Sequence, residues 1–282
     1  MRWLVLAFAV FLARPTLVRA CATCTVGDPT LTVLGTGQPA EARRRLGLVI
    51  RHHRERIDDS GSVSRLQQER YDLGFAWAPG PRGMISVQFP FAHQRVTLPN
   101  LARVQRWALA DVSVRGRIVL FRDRVLGARH LFNAIVGLEL PTATRPRDVP
   151  EDLRAGSGTW DPIVGLSYNG FAGAWSGFIS LSAIVPMTKS DGLRFAPALQ
   201  SIARLQFQPT MVVGVHAYGQ LRHEGRRGDS AGGTLVRSGV GVILSPLVDL
   251  VLYLQGSLPL WQDLEEGRRE EWLIEGGATV DF

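Results

Sequence analysis

Cys21 and Cys24 are the only two cysteines in this 282-residue chain, and they stand three apart in RACATCTVGDPTLTVLG. A C-x-x-C pair can attach haem, ligate a metal or exchange electrons, and a leading cysteine can carry a lipid. Haem attachment needs a histidine directly after the second cysteine, and Thr25 stands there. A structural zinc needs about four ligands, and no histidine lies close by. A thioredoxin-type redox pair needs a βαβ setting that the flanking sequence does not offer. Two thiols this close in an oxidising compartment are expected to form a short disulfide. Its tiny loop stabilises only locally. Lipidation of Cys21 is the alternative: Ala20 before it suits that chemistry, whereas Arg19 and Val18 suit it poorly.

The other reactive side chains are scattered. A hydrolase would need a serine beside a histidine and a group that orients the histidine. The six histidines are His52, His53, His93, His130, His216 and His223, and none sits in a His-x-Ser-Asn-Gly pattern. The carboxylate pairs Glu265-Glu266 and Glu270-Glu271 flank a turn and read as solvated loop. No glycine-rich phosphate cradle leads from a strand into a helix. The sequence therefore nominates no catalytic residue, no metal site and no cofactor. Of 32 basic residues only Lys189 is a lysine. The arginines are spread among acids without a basic stripe, so no nucleic-acid partner is expected.

What those side chains do depends on the elements that carry them. Residues 1–20 read as a secretory signal: Arg2, an apolar run from Trp3 to Ala13, and a Val18-Arg19-Ala20 cleavage site. The formal charge of +7 then falls to +4, because Arg2, Arg14 and Arg19 leave with the signal. No later stretch approaches the ~18 apolar residues of a spanning helix. Yet 45% of the chain is hydrophobic.

The end of the chain, EEWLIEGGATVDF, alternates. Trp272, Ile274, Gly276, Ala278, Val280 and Phe282 share one face; Glu271, Leu273, Glu275, Gly277, Thr279 and Asp281 share the other. A period of two over about eleven residues is a β-strand long enough to cross a bilayer at a tilt. Its terminal phenylalanine resembles the signal by which bacterial outer-membrane barrels are recognised for assembly. The pattern recurs. QQERYDLGFAWAP sets Tyr71, Leu73, Phe75 and Trp77 against Arg70, Asp72 and Gly74. LADVSVRGRIVLF sets Val112, Val114, Ile118 and Leu120 against Asp111, Ser113, Arg115 and Arg117. RHLFNAIVGLELP sets Phe132 to Leu140 against Asn133 and Glu139, and TMVVGVHAYGQLRHE sets Met211 to Leu221 against His216, Tyr218, Gln220 and Arg222. About twelve such strands fill residues 43–282, at roughly twenty residues per strand and connection, which suits an up-and-down barrel. The longest connection, 143–158, is placed outside the cell.

The charged faces discriminate between classes of β fold. A soluble globule would not turn Arg70, Asp72, Asp111, Arg115, Arg117, Glu139, Arg204, Arg222, Arg237, Glu271 and Glu275 towards its core. A narrow transmembrane barrel has a polar interior in which opposite charges pair. Asp111, Arg115, Arg117, Glu139, Arg204, Tyr218, Arg222, Arg237 and Glu275 are accordingly expected to line the lumen.

Three segments carry a family resemblance. LADVSVRGRIVLF, VGLELPTATRP and GSGTWDPIVGLSYNG resemble successive motifs of the outer-membrane transporter family linked to the phenol-degradation (MetA) pathway. Leu109-Ala110 stands where that family favours Gly-x-Gly, and Ala143 where it has glycine. The resemblance implies a channel or uptake barrel with a hydrophobic or aromatic compound as nominal substrate.

The expected organisation is a signal peptide (1–20), a periplasmic or plug segment (21–42) and an all-β transmembrane antiparallel up-and-down barrel (43–282) in the bacterial outer membrane. The expected activity is passive passage of small solutes. The expected partners are membrane lipids, the barrel-assembly machinery through Phe282, and a small-molecule solute. Two rival functions remain: a lipid-modifying enzyme with a rim site near His93 or His130, and a closed structural barrel.

Overall fold

The computed structural model describes residues 44–59, 62–80, 82–97, 103–123, 129–143, 156–187, 197–225, 232–264 and 267–282. The expected signal, the 21–42 segment and the Cys21–Cys24 pair lie outside these residues. The described chain is β-structure throughout: β1 (Arg44–Asp59), β2 (Ser62–Gly80), β3 (Gly83–Thr97), β4 (Arg103–Leu109), β5 (Ser113–Arg122), β6 (His130–Glu139), β7 (Asp161–Ala172), β8 (Trp175–Ile184), β9 (Ala198–Phe207), β10 (Val213–Glu224), β11 (Gly233–Leu247), β12 (Leu250–Leu264) and β13 (Arg268–Asp281). Among the described residues no helix is long and apolar enough to cross a membrane.

Each strand runs antiparallel to its neighbours, and β1 pairs with both β2 and β13. The β2–β3 pairing closes the ring. β4 and β5 are two halves of one stave: Arg103–Leu109 lie against Phe91–Thr97 of β3, and Ser113–Ile118 against Gly83–Gln88. The thirteen strands therefore make a closed barrel of twelve staves. Closure satisfies every strand edge, which a bilayer demands because lipid offers the backbone no hydrogen bonds.

The break in the fourth stave has a local cause. Between the two paired halves, Ala110, Asp111 and Val112 face only Phe89 and Pro90. Pro90 has no N–H to give a ladder, and its carbonyl accepts the Ala110 N–H at 2.9 Å. One extra residue is thus inserted as a bulge. The inward parity switches there from even (Arg106, Ala108) to odd (Ser113, Arg115, Arg117), and Ala110 and Asp111 are both buried.

The two ends differ. Arg44 and Phe282 meet at one end, together with the two-residue connections 81–82, 173–174 and 248–249; in the second of these Gly173 takes a left-handed φ of 62° so that Ala172 and Trp175 can pair. The other end bears the long 140–160 connection and the 185–197 and 225–232 connections. Short turns on the periplasmic side and longer loops outside is the habit of outer-membrane barrels.

Outward side chains form an apolar belt that includes Leu46, Leu48 and Ile50 on β1, Phe89 and Phe91 on β3, Ile179 and Leu181 on β8, and Leu254 and Leu258 on β12. All are exposed large hydrophobics, the reverse of a soluble protein's surface. Tryptophans rim the belt. Trp77 and Trp175 lie towards the short-turn end, and Trp107, Trp160, Trp261 and Trp272 towards the loop end. This is the double aromatic girdle of a membrane-spanning barrel.

Candidate functional site

Inside the barrel two zones lie one above the other. The short-turn half is packed. Val49, Ala76, Met84, Ile243, Val251 and Tyr253, from five strands, form one apolar cluster, and Phe178, Ile202 and Tyr218 form another. Small residues make room for the large ones. A Cβ on Gly277 would come within 2.4 Å of the Tyr253 ring, one on Gly239 within 2.6 Å of Tyr218, and one on Gly241 within 2.5 Å of His216. Glycines on β11 and β13 thus let side chains of neighbouring strands lie flat across the wall and fill the bore.

Above this packing a cavity of about 750 Å³ runs from mid-barrel to the loop-end rim. Its lining holds six arginines and seven carboxylates, from Arg51, Arg115 and Glu275 at its floor, through Arg237 on the wall, to Arg222 and Arg268 nearer the rim. Apolar patches from Leu66, Ile184, Leu235 and Leu273 lie between them.

The floor is a chain of charge-assisted contacts from strand to strand. Arg70 Nε donates to Asp72 Oδ1 at 2.8 Å, and Arg51 reaches Asp72 Oδ2 at 3.0 Å. Arg51 Nε also donates to Glu275 Oε2 at 2.7 Å. Glu275 Oε1 accepts from the Tyr253 hydroxyl at 2.9 Å and from Gln255 Nε2 at 3.1 Å. The Gln255 carbonyl in turn lies 2.9 Å from His216 Nε2 and accepts from Arg204 at 3.2 Å. The chain crosses β2, β1, β13, β12, β10 and β9. Arg237 and Glu270 pair higher on the wall at 3.1 Å, both buried.

The opposite wall is acidic. Asp111 Oδ1 accepts the Ala143 N–H at 3.0 Å, and Asp111 Oδ2 accepts the Gly158 N–H at 2.7 Å. Ser157 Oγ contacts Asp161 Oδ2 at 2.6 Å and Asp111 Oδ2 at 3.1 Å, and Thr159 bonds Asp161. These contacts fold residues 156–159, the last part of the long outer connection, onto the lumen wall. Glu139 lies beside them, 3.5 Å from Arg115 Nη2. Among the described residues no group of three or more metal-ligating side chains is arranged to hold an ion.

Of the nine residues that the sequence assigns to the lumen, eight lie on the inward face of their strands, and Asp111 lies buried in the break between β4 and β5. Asp111, Arg115, Glu139, Arg222, Arg237 and Glu275 border the cavity. Arg117, Arg204 and Tyr218 sit lower, in the packed half: Arg117 lies against Met84 Sδ, and the Arg204 guanidinium stacks over the Tyr218 ring at 5.7 Å. Glu271 corrects the sequence reading. It is the extra residue of a bulge between Arg54–Trp272 and Glu55–Glu270, so it pairs with half-exposed Arg54 at 2.7 Å while Glu270 takes the inward place. Arg51 and Gln255 complete the floor but were not singled out from the sequence; Asp72 and His216 were read as inward without being assigned to the lumen lining, and Glu270, read as solvated loop, is instead buried on β13 because the strand begins at Arg268. Continuing the inward series Arg45, Gly47, Val49 by two would have found Arg51.

The two histidines considered for a rim enzyme face outward. His93 stacks on Trp107 at 4.7 Å and lies 3.5 Å from Glu69, and His130 Nδ1 lies 2.7 Å from the Tyr168 hydroxyl. Among the described residues, the six histidines' side-chain hydrogen-bond or ion-pair partners are carboxylates, an amide, a phenol and a threonine.

No family model and no curated protein matches the chain. Solved structures do. An outer-membrane channel from Pseudomonas putida F1 superposes with a TM-score of 0.66 at 15% identity, over 86% of this chain and 96% of that one. The translocator domain of the autotransporter NalP from Neisseria meningitidis gives 0.51 at 10% identity, over 86% and 89%. The β domain of the Bordetella autotransporter BrkA gives 0.50 at 15% identity, over 86% and 100%. One of the three is a channel and two are autotransporter domains, so the likeness establishes the barrel architecture, and function has to be argued from the lumen.

Proposed function

We propose that this protein is a passive channel of the bacterial outer membrane that admits small solutes through a charged vestibule. The observation that carries the reading is the cavity of about 750 Å³ from rim to mid-barrel, with arginines and carboxylates in near-equal number on its walls. A barrel that served only as an anchor would need no such chamber. Paired charges screen one another, so the vestibule favours neither cations nor anions strongly. Small molecules that carry polar groups on an apolar body suit its mixed lining best. That includes the aromatic compounds implied by the sequence resemblance, provided that they bear hydrogen-bonding groups for Arg115, Arg237 or Glu139.

Below the vestibule the Arg51–Glu275 chain and the apolar cluster around Tyr253 pack across the bore. Passage requires these side chains to swing aside, which makes the floor the selectivity element. Osmotic swelling of proteoliposomes tests this. Vesicles holding the folded protein should admit small polar and hydroxylated aromatic solutes faster than empty vesicles, with a sharp fall as solute size rises. Equal rates with and without protein for every solute would refute it.

A further inference from the structure

The outer surface of β13, β1, β2, β3 and β4 changes character with height. Strand register aligns His52, Glu69, His93 and Trp107 in one row directly above the apolar belt. Arg54 and Arg95 lie two positions higher on β1 and β3. The next row reads Arg269, Arg56, Arg65, Thr97, Arg103, each directly opposite the next. Like charges directly opposite on neighbouring strands repel. Arg56 is balanced by Asp58 at 3.0 Å and Arg54 by Glu271 at 2.7 Å. Arg65, Arg103 and Arg269 have no ion pair with any described residue and are exposed. The opposite side of the barrel differs: the loop-end outer positions of β6 and β9 are Leu138 and Leu199, and Trp160 and Val185 flank β7 and β8.

A repulsive arginine row just above a lipid-facing belt has one natural counter-charge. Two positions along a strand are about 7 Å. Arg54 and Arg95 therefore stand at the depth of the headgroups, which add roughly 5–8 Å to each side of the hydrocarbon core. The row above can bend its long side chains down to the same level. The planar guanidinium fork matches phosphate oxygens in pairs.

We propose that this face binds the phosphate groups of lipid headgroups in the leaflet at the loop end, so that the barrel carries an anionic lipid on one side only. The proposal rests on the reading that the barrel spans a bilayer, which is checked separately by flotation of the wild-type protein with neutral phosphatidylcholine vesicles.

The test is native mass spectrometry of the folded protein in an uncharged detergent, titrated with an equimolar mixture of phosphatidic acid and phosphatidylcholine with identical chains. The wild type should retain phosphatidic acid several-fold over phosphatidylcholine. At about fivefold per basic residue, R65Q/R103Q/R269Q should lower phosphatidic acid retention by about a hundredfold and leave phosphatidylcholine unchanged. Millimolar inorganic phosphate should not displace the lipid. Folding is read by heat-modifiable gel migration; because the triple variant removes a repulsion, it should resist heat at least as well as the wild type without lipid and gain less from added phosphatidic acid. The single R65Q variant, with an expected loss of about fivefold, serves if the triple variant does not fold. Unchanged phosphatidic acid retention in the folded variant, or displacement by free phosphate, would overturn the proposal. A wild-type protein that failed to float with phosphatidylcholine vesicles would instead refute the membrane reading.

Discussion

Removing the carboxylate of Glu275 should destabilise the barrel far more than removing that of Glu271, although the two stand four residues apart on the same strand. Glu275 is buried and holds Arg51 at 2.7 Å, the Tyr253 hydroxyl at 2.9 Å and Gln255 at 3.1 Å. Arg51 would be left with Asp72 alone, and Asp72 is already shared with Arg70. Breaking a buried ion pair from one side costs about 3–5 kcal/mol, because the remaining charge stays buried. The Tyr253 and Gln255 donors would lose their acceptor as well, at about 1–3 kcal/mol each if no water replaces it. Side-chain relaxation into the vestibule above offsets part of that sum, so Glu275→Ala is expected to cost about 3–5 kcal/mol. The Arg54–Glu271 pair is about one-third exposed on both sides. Such a pair contributes about 0–1 kcal/mol, so Glu271→Ala should cost no more than that. Urea unfolding of the barrel in micelles, followed by tryptophan fluorescence, measures both. Glu275→Gln, which keeps an acceptor for Tyr253, should fall between them. A Glu275→Ala cost below about 1 kcal/mol, or one equal to that of Glu271→Ala, would show that the floor chain is not the buried network described above.

Other outcomes follow from the same geometry. Gly241→Ala puts a methyl group 2.5 Å from the His216 ring and should cost about 1–3 kcal/mol in the same unfolding assay; Gly177→Ala, with nothing within 4 Å, should not show that steric cost. Asp111→Ala removes the acceptor for the Gly158 and Ala143 N–H groups, so residues 156–159 should leave the wall, seen as faster amide exchange there and a larger conductance with more open-channel noise. Arg237→Gln leaves Glu270 without its 3.1 Å partner, so the reversal potential in a salt gradient should move towards cation preference, while Glu270→Gln should move it the opposite way.

The architecture was legible because a membrane-spanning strand shows its two environments at a period of two residues. Trp272 to Phe282 and Tyr71 to Trp77 display it without ambiguity, and the inward set from Asp111 to Glu275 was found by face alone. Height was not legible. Arg117, Arg204 and Tyr218 have the same alternation as Arg115 and Arg237, but depth depends on register against other strands, and it places the first three below the cavity. Bulges were the second loss. One extra residue at Glu271 exchanged the roles of two adjacent glutamates, and another at Ala110–Val112 reversed the parity of the fourth stave. In RHHRER both faces are charged because β1 rises above the bilayer, which hid Arg51 among rim residues although it is the centre of the floor. The glycines of β11 read as weak strand formers; only the rings of His216 and Tyr218 lying over them explain their places.

Whether the barrel is a channel gated by its charged lumen is decided by single-channel recording in planar bilayers with the folded wild-type protein and with Arg237→Gln and Arg269→Gln. The wild type should give discrete conductance steps, Arg237→Gln at the vestibule wall should alter the ion preference, and Arg269→Gln on the outer face should not. Folded protein that gives no steps, or steps whose selectivity responds to the outer-face substitution and not to the lumen one, would contradict the channel reading.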